Sequence, residues 1–325
     1  MRRVQLLALH LLSGRLLLEF LEMRRRLLGA MREVVAAARG ELEPLRCRGL
    51  PLVTVCIPTR NEERFIGQAL FALRRVNLYP RLEIIVADYA SRDATVEIAG
   101  RFGAKVVSLD KPGVGRARHE CSLEARGEIV VQIDADTVVT PFAIPRAVAH
   151  LLSGRVHVYH TAHYYYDGDA LLNLAAHYYD KYFRKPYRTT GHFIAYTRDL
   201  YDCVQFDPNV SWGEDYDFGE RAFKEFGNSI FKFDRETIIL VSSRMYKRRE
   251  ALSKTISAMS ARDGFNGIRV GSLDPRDYAG ALERLLVDGE LWSRLSRNGL
   301  EFVKRFDHVE VAKRYLSIIG GLRER

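Results

Sequence analysis

The sequence predicts an α/β protein, a mostly parallel, twisted sheet flanked by helices, with an N-terminal helix and a C-terminal helical appendix. Three observations carry this. Short runs rich in Val and Ile (53–58, 82–88, 104–109 and 128–136) are each followed by a helix-length stretch, as in parallel strands buried on both faces. Three of the runs end in polar residues. In such sheets ligands bind beyond the carboxyl ends of the strands, so Pro58–Glu62, Asp88 and Asp134–Asp136 fall on one rim. Finally, a chain of 325 residues, 47% apolar and 28% charged, has the composition of a folded globular protein, which excludes disorder, collagen and a disulfide scaffold.

Residues 4–38 read as a helix. Arg15, Glu19, Glu22, Arg26 and Glu33 recur at steps of three, four or seven and leave a wide face of Leu, Phe and Met. Residues 1–50 hold ten Arg and five Glu, more than half of the chain's net charge of +9. Two readings stay open: an interfacial helix on anionic lipid, or a helix packed on the domain that follows. No stretch is apolar enough to span a membrane, and no cleavage site follows Arg2-Arg3. Four cysteines without a C-x-x-C pair argue against structural zinc and for a reducing compartment. The expected location is cytoplasmic, with peripheral attachment at the inner face of a membrane through residues 1–40. The basic balance does not require nucleic acid, since a polyphosphate ligand also favours a basic cleft.

The expected organisation is the N-terminal segment 1–50, a catalytic domain 51–260 and a helical extension 261–325. Within the domain, helices are expected to about Arg75, over 94–102 and over 114–125. Later strands are expected at 193–197 and 237–241, and helices at 275–287, 290–305 and 308–319. His157, His160 and His163 lie in an aromatic segment. Spacings of three put successive residues of a strand on opposite faces, so these read as core or pocket lining rather than as a metal site.

Four motifs carry candidate chemistry. Asp134-Ala135-Asp136 follows an apolar run, and in an extended segment both carboxylates would project to one side. Hard cations such as Mg²⁺ or Mn²⁺ take one or two carboxylates plus substrate phosphates, so the pair suits a metal–diphosphate. Glu214 and Asp215, ahead of a helical run, can supply a general base or else helix-capping carboxylates. Pro58, Thr59, Arg60, Asn61 and Glu62 are placed to contact a base or ribose. Asp88 is placed to accept hydrogen bonds from a nucleobase or from ribose hydroxyls.

The ordered set of Pro58-Thr59-Arg60-Asn61-Glu62, Val86-Ala87-Asp88 with Ser91, Asp93 and Thr95, Gly113–Arg118, Asp134-Ala135-Asp136 and Gly213-Glu214-Asp215 resembles the family 2 glycosyltransferases over about residues 52–250. The resemblance implies the GT-A fold and hexosyl transfer from a nucleotide-diphosphate sugar, a UDP- or GDP-sugar, to a saccharide, lipid or protein-glycan acceptor. By it, Asp88 contacts the nucleobase, Asp134 the ribose or metal, and Asp136 is the principal ligand of a divalent cation, Mn²⁺ or Mg²⁺. Arg118 lies near the donor, and Asp215 is the catalytic base of an inverting reaction. Ser242–Arg249, with Arg244, Lys247, Arg248 and Arg249, resembles a basic segment near the diphosphate. Two positions depart from the pattern. Tyr89-Ala90 stands where the family has Asp-Gly, and His119 where it has Asn.

Residues 264–319 resemble the C-terminal end of GT-B glycosyltransferases and read as a structural appendix. Two other functions compete with the transferase. The Asp134–Val138 stretch also fits a haloacid-dehalogenase-like phosphatase with Asp134 as nucleophile, although that leaves Asp88 and the 58–62 motif unexplained. The chain could equally be a non-catalytic nucleotide-sugar binder.

Overall fold

The computed structural model describes residues 2–46, 49–247 and 294. The expected C-terminal helices, the 264–319 resemblance, Arg248 and Arg249 lie outside the described residues. The chain divides into two compact units, Met1–Ser243 and Arg244–Arg325, and in the second the described helix is Arg244–Lys247.

In the first unit the elements run α1 (Arg2–Ala38), β1 (Val53–Thr59), α2 (Ile66–Phe71) with a π-turn over Ala72–Val76, β2 (Leu82–Asp88), α3 (Thr95–Arg101), β3 (Lys105–Ser108) and α4 (Val114–Glu124). They continue as β4 (Ile129–Gln132), β5 (Thr137–Val138), α5 (Ala143–Leu151), β6 (Val158–Tyr165), α6 (Ala170–Tyr182), β7 (Ile194–Thr197), α7 (Arg198–Cys203), α8 (Glu214–Phe226) and β8 (Phe231–Val241). One eight-stranded sheet is ordered β3-β2-β1-β4-β7-β6-β8-β5. Its first four strands are parallel, β7 runs antiparallel to both β4 and β6, β8 is parallel to β6, and β5 closes the edge antiparallel to β8.

The Val/Ile runs form strands because both faces are covered. Val53, Val55 and Ile57 pack on one side with Ile66, Leu70 and Ile144; Cys56, Ile85 and Val130 pack on the other with Ala117, Tyr196 and Phe218. Each fully buried side chain of this kind contributes roughly 1.5–3 kcal/mol, enough to fix the register wherever both layers agree. That register aligns Thr59 with Asp88 and Cys56 with Gln132, so the strand ends form one rim.

One expectation changes here. β4 stops at Gln132, and the Thr137 N–H donates to the Asp134 carbonyl (3.1 Å), closing a turn over Asp134–Thr137. The two aspartates therefore sit on a turn between β4 and β5, not on an extended strand.

α1 buries Met23, Ala30 and Ala37 on the domain, so the packed-helix reading holds for one of its faces. Glu19 and Glu22 face α6. Lys181 Nζ donates to both (2.9 and 2.6 Å), His177 Nε2 lies 3.0 Å from Glu19, and the Tyr182 hydroxyl donates to Glu19. Burial alone would raise the Glu19 pKa, but these donors outweigh it and hold the carboxyl down at about 2.

Candidate active site

The rim begins with Asp88, which is buried and held from three directions. Its Oδ1 accepts from Thr59 Oγ1 (2.9 Å) and Ser91 Oγ (2.5 Å), and its Oδ2 from the Ser91 N–H (2.9 Å). Two loops lock together around it. The Asn61 N–H donates to Ser91 Oγ, the Arg92 N–H to Asn61 Oδ1, and the Glu62 N–H to Thr95 Oγ1, all at 2.7–2.8 Å. Asn61 (φ 54°) and Ala90 (φ 62°) take the left-handed conformation that disfavours side chains. Such strain concentrates at functional sites. Arg60 lies 5.9 Å from the centre of the Tyr89 ring, so a cation–π contact occupies the position of the family's second acid. Pro58 pairs with Ala87 in the sheet, one residue before the Thr59–Asp88 pair at the rim.

The second part is built on Arg118, which is 1% exposed. From α4 its Nη2 donates to Asp134 Oδ1 (2.6 Å) and its Nε to Glu214 Oε1 (2.9 Å), the latter 96 positions further along the chain. Among the described residues its Nη1 has no hydrogen-bond partner. Asp134 Oδ2 lies 2.9 Å from His192 Nδ1, which must carry the proton to face a carboxylate. Burial would raise the Asp134 pKa, but the Arg118 charge and the His192 hydrogen bond hold it well below the usual carboxylate range. His192 moves the opposite way. Burial opposes its charge, and the bond and charge of Asp134 prevail, raising its pKa. Ala135 and Asp136 are both buried beside this pair.

Two glycines permit the arrangement. A Cβ on Gly191 would stand 2.2 Å from Arg118 Nη2 and 3.2 Å from Asp134 Oδ1. On Gly115, in α4, it would meet the Val210 carbonyl oxygen at 2.3 Å.

Asp215 opens α8, where Gly213 (φ 74°) turns the chain into the helix. Its Oδ2 accepts from the Gly191 N–H (2.6 Å), its Oδ1 from the Tyr216 N–H (2.9 Å), and its carbonyl from the Thr189 hydroxyl. Burial and the neighbouring Glu214 charge raise its pKa, against the pull of Arg118 and the Gly191 N–H. Glu214 is itself buried and turned toward Arg118. Segment 189–192 thus ties Asp215 to Asp134. Sequence reasoning missed Thr189, Gly191 and His192, whose one signal is a Gly-His pair just ahead of β7. Arg244 belongs to the second unit.

Within this group four carboxylates (Asp134, Asp136, Glu214 and Asp215) face two cationic side chains, Arg118 and His192. Among the described residues, the single trio of potential ligand atoms within 4.8 Å of one another is Glu19, Glu22 and His177, and Lys181 already occupies it. Among the described residues, Asp134 and Asp136 are the pair of side chains that could hold a divalent cation such as Mg²⁺ or Mn²⁺ together with substrate phosphate. His160 and His163 are core residues, as expected. His160 bonds the Pro186 carbonyl and stacks on Phe233, and His163 lies against Tyr165 and His192. A separate cleft of about 310 Å³, lined by Arg25, Arg26, Glu33, Arg146 and Glu236 among others, includes none of the rim carboxylates.

Residues 54–205 match the family model described as Glycosyl transferase family 2. An uncharacterized glycosyltransferase of Mycobacterium tuberculosis is 37% identical over 102 residues, covering 31% of this chain and 44% of the relative. A probable glycosyltransferase of Bacillus subtilis is 34% identical over 116 residues, covering 32% and 27%. The chain thus spans less than half the length of these curated relatives. A crystal structure of glucosyl-3-phosphoglycerate synthase from Mycobacterium tuberculosis, in complex with Mn²⁺, UDP-glucose and phosphoglyceric acid, aligns at 23% identity and TM-score 0.47, covering 68% of this chain and 84% of that one. The parallel β3-β2-β1-β4 sheet with its antiparallel extension is the mostly parallel, helix-flanked α/β architecture that the sequence predicts.

Proposed function

We propose that the chain, whose residues 54–205 match the Glycosyl transferase family 2 model, transfers a sugar from a nucleoside-diphosphate donor to an acceptor hydroxyl. The observation that carries the reading is the single guanidinium of Arg118 joining Asp134 to Glu214, which gathers the D-x-D and G-E-D motifs into one charged cluster.

Asp88, fixed by Thr59 and Ser91, receives the nucleobase or ribose beside Arg60, Asn61 and Glu62. Asp136, with Asp134, holds Mn²⁺ or Mg²⁺, which when bound supplies Lewis-acid neutralisation of the diphosphate. Following the resemblance, Asp136 is the principal ligand, while Asp134, with its oxygens engaged by Arg118 and His192, orients. Arg118 brings fixed positive charge to the site in which the leaving group departs, His192 adds charge when protonated, and Arg244 and Arg248 are further candidates for that role. Asp215 accepts the acceptor's proton. Its raised pKa brings it closer to the operating pH, where a general base is most effective. Direct attack assisted by this one base inverts the anomeric centre. The phosphatase alternative needs Asp134 as a free nucleophile, and the Arg118 and His192 contacts stand against that. The location we propose is cytoplasmic, Cys56, Cys121 and Cys203 being free thiols.

The test is a melting-temperature screen of nucleoside diphosphates and their sugars with and without Mn²⁺, followed by transfer assays on Asp215→Asn. A ligand that binds only the native state raises the melting temperature. A metal-dependent rise that Asp136→Asn removes is expected, as is loss of transfer in Asp215→Asn with donor binding retained. Unchanged turnover in Asp215→Asn removes the assigned base, and phosphate release without any acceptor replaces the transferase with the phosphatase.

A further inference from the structure

The outer face of α1 has no role in this chemistry, yet its composition is one-sided. Leu18, Leu21, Leu28, Met31 and Val35 are exposed, each by 39% or more. At about 100° per residue, these five side chains fall within an arc of about 140° that also contains Arg24, Arg25 and Arg32. Among the described residues, the arginine of this stretch that makes an ion pair is Arg26, with Glu22, and it lies outside the arc. No carboxylate shares the arc. Glu19 and Glu22 are turned inward to Lys181, and Glu33 lies on the flank, lining the cleft that includes Arg146 and that Arg25 borders from the edge of the arc.

We propose that this face lays α1 flat on an anionic membrane, its Leu, Met and Val side chains entering the headgroup boundary and its arginines meeting lipid phosphate. An apolar stripe interleaved with basic residues and free of acids is the composition of an interfacial helix. No described helix is long and apolar enough to cross a membrane, so the helix lies in the plane of the surface. A second copy of the chain is the poorer occupant, because facing copies would oppose guanidinium to guanidinium with no carboxylate between them. The placement of the acids separates the two roles of the helix: its carboxylates bind the domain and its outer arginines remain for a partner. The proposal does not depend on sugar transfer.

The test is co-sedimentation of the full chain with vesicles of phosphatidylcholine alone, and of phosphatidylcholine mixed with phosphatidylglycerol. The chain is expected to pellet with the mixed vesicles, to be released by salt, and to stay in solution with the neutral ones. Each arginine near an anionic surface is worth about fivefold in affinity, so Arg24→Ala/Arg25→Ala/Arg32→Ala is expected to weaken binding about a hundredfold. Leu21→Gln/Leu28→Gln is also expected to weaken it, and both variants are expected to melt as the parent does because the replaced side chains are largely outside the core. Failure of the parent to pellet with anionic vesicles overturns the proposal. So does equal binding by the arginine variant, or a dimer in sedimentation velocity that Leu28→Gln dissolves.

Discussion

Gly191→Ala is the most direct probe of the charge cluster. The new Cβ would stand 2.2 Å from Arg118 Nη2, whereas ordinary contact begins at 3.4 Å, so the guanidinium must retreat by about 1.2 Å. Arg118 is buried and held by Glu214 through Nε. A retreat of that size stretches its 2.6 Å bond to Asp134 out of hydrogen-bond range unless the Asp134 turn moves too. Breaking one arm of a buried pair costs about 3–5 kcal/mol. Here the Glu214 arm survives and Asp134 is 28% exposed, so about 2–4 kcal/mol is expected. For a unit of this size that lowers the melting temperature by roughly 4–16 °C, and donor affinity falls with it because Asp134 loses its orientation. Gly29→Ala is the internal control. Its Cβ meets nothing within 4 Å, and replacing glycine in a helix interior gains roughly 0.5–1 kcal/mol. The assay is urea and thermal unfolding of both variants, with donor titration followed by melting temperature. If Gly191→Ala melts within about 2 °C of the parent and binds donor as well, Arg118 does not hold the cluster as described.

Two further outcomes follow from the same geometry. Ala90 occupies a left-handed conformation where the family has glycine, so Ala90→Gly is expected to stabilise the unit by about 1 kcal/mol, read as a rise in melting temperature; a fall would mean the strain is absent. The pH dependence of transfer and of stability reports on two different groups. Asp215 titrates above its ordinary 3.8, so transfer declines as pH falls through that raised pKa and the base protonates. His192 titrates above its ordinary 6.5, so its contribution to stability is complete below 6.5 and is lost as pH rises through the raised value. His192→Gln is therefore expected to remove the alkaline decline in melting temperature, and an unchanged profile would dismiss its pairing with Asp134.

The parallel half of the fold was legible because its strands are buried on both faces, which writes continuous Val/Ile runs into the sequence. β6 was not, since Val158–Tyr165 is filled with Tyr and His, and every one of its eight positions is buried without alternation. β8 was recognised in its apolar half, Thr237–Val241. Its first half is irregular, and the pairing with β6 shifts register at Thr161/Ala162. The carboxylates of the rim were legible because acids at strand ends are few and their order is distinctive. Their geometry was not, for Asp134–Asp136 lies on a turn that a short apolar run cannot announce. Gly191 and His192 left no more than a Gly-His pair ahead of β7, because the reason for a glycine there is a guanidinium donated by a helix some seventy residues earlier.

The span of Arg118 has a consequence for dissecting the protein. The segment matched by the family model ends at residue 205, whereas Glu214 and Asp215 come after it. A fragment trimmed to that boundary would retain the D-x-D turn yet forfeit the proposed proton acceptor and half of the anchor for its central cation. The minimal catalytic piece must extend at least through α8, and a shorter clone that folds would be a binder without turnover.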